Sequence, residues 1–272
     1  MRAGRLQTRR YRVRRTRRRV FLVLALLGIG AFFLARSPVF PRLQAYFLSL
    51  LPGAPALPDE EMAETREVTL PGGQWHALSL GTYRDAAAAR PAADSFRARG
   101  AGGYRDGENR LLAAAYPARA DAQQVQKRLL AHHGLETAQT EIAWPEIRFR
   151  LTGRKDQLDA VEDALRLLSQ TAEQLFSLSS GLDKRTMDET AARQALASWR
   201  DTLSAQASRL DECFGGAAPE AAEQLRGQIA FLADALKTAL EEQGSVRLGA
   251  QIKYCHLAAL CRLQAWADTL AE

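Results

Sequence analysis

The sequence predicts an α+β chain built from a single N-terminal transmembrane helix, a βαββαβ unit and an all-α C-terminal helical bundle. Three observations carry this. An arginine-rich start abuts an uncharged apolar run, a strand-to-helix pattern is written twice between residues 73 and 145, and beyond residue 155 leucines recur at spacings of three and four. With 272 residues and 47% hydrophobic composition the chain can bury a sizeable core.

Residues 1–19 hold ten arginines and no acid, so the remainder sits at −4 against a whole-chain charge of +6. The basicity is therefore a cytoplasmic tail and not a nucleic-acid surface. Val20 to Ala35 (VFLVLALLGIGAFFLA) carries no charge. As a helix it rises ~24 Å, short for a bilayer core of ~30 Å, so Arg19 and Arg36 must snorkel toward the interfaces. Arginines retained on the cytoplasmic side orient it N-in, C-out. Two other readings compete: a cleaved signal peptide, against which Ala35-Arg36-Ser37-Pro38 offers no small-x-small site, and a basic arm that binds nucleic acid beside an unrelated buried helix. Residues 36–72 read as an interfacial segment and linker. Tyr46 and Phe47 suit the headgroup region, and Pro52, Pro55 and Pro58 favour extended backbone.

In the unit from 73 to 145, Gln74 to Tyr83 places Leu78 and Leu80 on one face and Ala77 and Ser79 on the other, the period of a strand. Asp85 then caps a helix over Ala86–Arg99, with Ala89, Ala93 and Phe96 inward, Gly100 as its stop and Pro91 implying a late start or a kink. Gly103 to Arg105, a turn at Asp106-Gly107 and Arg110 to Tyr116 read as a hairpin. A second helix, Ala120–His133, carries the stripe Ala122, Val125, Leu129 and Leu130 and stops at Gly134, before a strand from Glu136 to Ala143. Tyr83 and Tyr116 lie 33 residues apart, and Gly100 and Gly134 lie 34 apart, as in a duplicated half. Such halves form an antiparallel sheet with both helices on one face and the other face open.

Residues 146–272 form the bundle. They open with EIRFRLTG, a strand that either extends the sheet or crosses the junction. Stripes through Leu158, Leu165 and Leu175, then Leu196 and Leu203, Ile229 and Leu236, and Ile252 and Leu263 predict four antiparallel helices of roughly 25 residues. Such a bundle would bind a protein partner or self-associate.

No catalytic residues, metal ligands or cofactor are predicted. GxSxG, HExxH, Walker and GxGxxG patterns are absent, as is any zinc-type Cys/His spacing. Cys213, Cys255 and Cys261 read as structural thiols. His132 and His133 point about 100° apart on a helix and read as its last turn. His76 reads as solvent-facing, and His256 as an inert position. The acids Asp156, Asp159, Glu162 and Asp163 open the first bundle helix, where its dipole favours them.

The corners Gly81-Thr82-Tyr83 and Arg110-Leu111-Leu112-Ala113-Ala114-Ala115-Tyr116-Pro117 resemble those of the SPOR domain, the sporulation-related repeat of bacterial envelope proteins. The resemblance covers about 72 residues, 73 to 145. It implies a ferredoxin-like βαββαβ fold that binds peptidoglycan glycan strands on its open sheet face. It also implies a membrane-anchored, septal role in sporulation or cell division, without catalysis. The glycan-binding residues it suggests are Trp75, Ser79, Tyr83, Arg110 and Tyr116. Ser79 stands where the family commonly has Gln, and Ala114-Ala115 where it has Gly-Pro. These departures motivate the alternative, an envelope scaffold whose SPOR-like fold and bundle bind protein instead of glycan.

Overall fold

The computed structural model describes residues 63–215 and 218–271. The basic tail, the anchor and the interfacial segment up to residue 62 lie outside the described residues. Among the described residues no helix is long and apolar enough to cross a membrane. The elements are β1 (Glu64–Leu70), β2 (Gly73–Thr82), α1 (Ala86–Ala98), β3 (Tyr104–Arg105), β4 (Arg110–Tyr116), α2 (Arg119–His133), β5 (Ala138–Trp144), β6 (Ile147–Gly153), α3 (Lys155–Asp183), α4 (Glu189–Phe214), α5 (Glu220–Glu241) and α6 (Ser245–Ala271). The class is α+β, with six helices and small antiparallel sheets, and all described elements belong to one compact unit.

The βαββαβ segment forms a four-stranded antiparallel sheet in the order β3-β4-β2-β5. Local chemistry places its helices. Asp85 accepts the Ala88 N–H at 2.9 Å and caps α1, which starts at Ala86 with Pro91 inside it and not after it. Gly134, at φ 61°, ends α2 in the left-handed conformation. The hairpin turn is longer than Asp106-Gly107: it runs to Asn109, which takes the positive φ of 60°, and Asp106 accepts the N–H groups of Glu108 and Arg110. On α2, Ala122 is buried while Leu130 is 53% exposed, so Leu130 lies off the inward stripe.

The linker is shorter than the sequence predicts. Residues 64–70 (ETREVTL) form β1, which pairs over its whole length with β6, from Glu64↔Gly153 to Leu70↔Ile147. Val68 and Leu70 supply the reason, being 4% and 0% exposed. β6 thus does not extend the four-stranded sheet; it forms a separate ribbon with β1, and its Ile147, Phe149 and Leu151 pack against the apolar cluster of the bundle.

α3 packs against α6 and α4 against α5, and α3 also supports the β1–β6 ribbon. Partly buried polar clamps set the helix ends. Arg193 of α4 donates to the carbonyls of Leu240 and Glu242, satisfying the end of α5, and Gln157 donates to Cys213 O at 3.1 Å, satisfying the end of α4. The acids at the start of α3 hold arginines from other elements: Arg66 of β1 reaches Asp159 at 2.6 Å, and Arg209 of α4 reaches Asp163 at 2.5 Å.

The division between a module ending at 145 and a separate bundle does not describe the packing. One apolar cluster runs from Trp75, Ala77, Leu112, Ala115, Ile142 and Trp144 of the sheet into Leu257, Leu260 and Leu175 of the bundle. A second, smaller cluster joins Leu78 and Ala113 to Ala122 of α2. The sheet is therefore covered on both faces.

Candidate functional site

The sheet face expected to be open is closed by α6. Trp75 is 8% exposed and lies edge-to-face with His256 of α6, centroids 4.8 Å apart, and with Phe176 of α3 at 5.7 Å. Tyr116 packs edge-on against the same Phe176 at 6.1 Å, and burial pushes its hydroxyl up to about 12. At the hairpin, Tyr104 meets Tyr254 of α6 at 5.4 Å. Lys253 donates to Gly100 O and to Asp183, each at 2.8 Å, tying the end of α1, the end of α3 and the middle of α6 together. Gly102 lets α6 approach: a Cβ there would stand 2.9 Å from Leu257 Cδ1.

The five suggested glycan ligands do not converge on one accessible surface. Trp75 and Tyr116 each pack against Phe176 of α3. Ser79 is 5% exposed, and its hydroxyl accepts the Gly81 N–H at 3.4 Å. Arg110 is held by the buried Asp106 at 2.7 Å and by Glu108 at 2.9 Å, which makes it a strut of the hairpin turn. Tyr83 is half-buried at the end of β2, its N–H donated to Asn109 O at 3.0 Å. A flat sugar platform on this face would require α6 to leave it.

His256, read from the sequence as an inert position, lies inside the seam between the sheet and α6. It is 1% exposed among Trp75 and Phe176, its Nε2 has no hydrogen-bond partner, and burial lowers its pKa to about 3. It is thus a neutral ring held in an aromatic seam. One signal for the closed face was legible: RLLAAAY is a continuous apolar run without alternation, the pattern of a strand covered on both sides.

His132 and His133 are exposed at the end of α2, and His76 is half-buried. Among the described residues no group of three or more His, Cys, Asp or Glu converges as a metal site. The three cysteines are free, and burial pushes the Cys255 and Cys261 thiols up to about 12. An apolar concavity of about 270 Å³ lies beside β6 and is lined by Phe149, Leu151 and Trp266 among others. Compared with family profiles, with curated proteins and with solved structures, the chain matches none.

Proposed function

We propose that this chain is a membrane-anchored, non-catalytic envelope scaffold that binds protein partners, and that its SPOR-like module serves to brace the helical bundle. The observation that carries the reading is the closed sheet face: Trp75 and Tyr116, the aromatics that would stack on sugar, are instead packed against Phe176 and His256. The anchor, the extracytoplasmic placement and the link to sporulation or division rest on the arginine-rich start, the apolar run and the SPOR resemblance.

Glycan binding is the second reading, favoured by the same two corners and by the unpartnered His256 Nε2, a weak point in the seam that holds α6 down. Cosedimentation of the full-length, detergent-solubilised chain with purified wall sacculi, before and after amidase removal of stem peptides, separates the two. The scaffold reading expects no binding to either preparation. Wild-type binding to stripped glycan would overturn it. Binding gained only in Phe176→Ala would show a glycan surface masked by the bundle.

A further inference from the structure

A small polar cleft of about 190 Å³ lies between α1 and the start of α6. Asp94 and Arg97 of α1 line it, together with Arg247 and Gln251 of α6 and Glu242, the residue that follows α5. Gln251 is only 7% exposed, yet its amide has no hydrogen-bond partner among the described residues. A buried amide without a partner destabilises the fold that holds it, so Gln251 is placed for a group that enters the cleft and pairs with it.

The charges around that amide are set in advance. Arg97 donates from Nη2 to Asp94 at 2.7 Å, and its guanidinium lies over the Tyr254 ring of α6, 5.6 Å from the centroid. Arg247 is exposed in the first turn of α6, which carries no acid, so it adds to the positive end of the helix dipole. Neither Arg247 nor Glu242 has an ion pair among the described residues.

This lining selects the chemistry of the occupant. An apolar molecule would leave the amide and the guanidinium groups unpaired. A multiply charged anion would face Asp94 and Glu242, and a cation would face two arginines. Two guanidinium groups and two carboxylates balance, which suits a molecule carrying both signs. The Gln251 amide both donates and accepts, as a peptide group does. The volume is the space of roughly six waters, enough for a dipeptide.

We propose that this cleft binds a small zwitterionic peptide, its carboxylate on Arg97 and Arg247, its amino group toward Glu242 and its peptide group on Gln251. The site goes beyond the scaffold reading and does not depend on it.

The test titrates the full-length, isotope-labelled chain in detergent micelles with alanyl-alanine. It follows the side-chain NH₂ resonances of Gln251, assigned by their loss in Gln251→Leu. A saturable shift in the millimolar range is expected for a ligand this small. Amidating the carboxyl end of the peptide, or acetylating its amino end, should each weaken binding about tenfold or more. Arg247→Ala, at an exposed position, should weaken it about fivefold or more. Gln251→Leu should lose binding by calorimetry and, without peptide, resist more urea than wild type, since it removes an unpaired buried amide. Absence of a shift overturns the proposal. So does an equal response to inorganic phosphate or acetate, which would make the cleft an anion site only. A fall in the urea midpoint of Gln251→Leu also overturns it, because the amide would then be paired within the fold. Each of these outcomes leaves the sacculus result, and with it the scaffold reading, untouched.

Discussion

His256 sits where a proton would cost most. In the folded chain it stays neutral down to about pH 3, whereas in the unfolded chain it takes a proton near its ordinary value of 6.5. The unfolded state therefore binds the extra proton between those limits. The stability that this histidine supplies is whole above pH 6.5 and is lost as pH falls through the window, at about 1.4 kcal/mol per unit. Asp85 and Asp156, both lowered by hydrogen bonds to the charged form, also lose stability in acid, so the contrast must be drawn between variants. His256→Phe should flatten the slope of urea-derived stability between pH 6.5 and 4 relative to wild type. Parallel slopes would place His256 in contact with water.

β1 shows which elements are legible and which are not. β2, α1, α2 and β5 announce themselves locally, through alternation, the Asp85 cap and the Gly134 stop. ETREVTL also alternates, but it follows a proline-rich stretch, and its partner lies some 80 residues later, at Ile147–Gly153. Period shows that a segment has a buried face and does not identify what covers it. The same reasoning explains the sheet: the apolar face of β2 and β4 was legible, while the α6 helix that covers it came from the far end of the chain. If β1 is a strand, amides of residues 66–70 should exchange with deuterium as slowly as their neighbours in β6. Val68→Asp should abolish that protection and cost about 3 kcal/mol or more, since it buries an unpaired carboxylate. Full exchange of 64–70 within the dead time would return the segment to the linker.

Taken whole, the described unit is a bundle with a sheet built into its side. Because the sheet and helices share one apolar cluster, unfolding should be a single cooperative transition, with tryptophan fluorescence and helical ellipticity coincident in urea. Two separated transitions would restore an independent module at 73–145. The closed face is also what favours the proposed protein binding over glycan capture, since Trp75 and Tyr116, the aromatics that the SPOR resemblance suggests for sugar, pack against Phe176 of α3, and Trp75 also against His256 of α6. The contact that closes it is Trp75 against His256, at 4.8 Å. A double-mutant cycle with Trp75→Ala and His256→Ala measures it. The closed arrangement predicts a coupling free energy of about 1 kcal/mol between the two positions, whereas additive losses, within about 0.3 kcal/mol, would mean that α6 does not lie on the sheet.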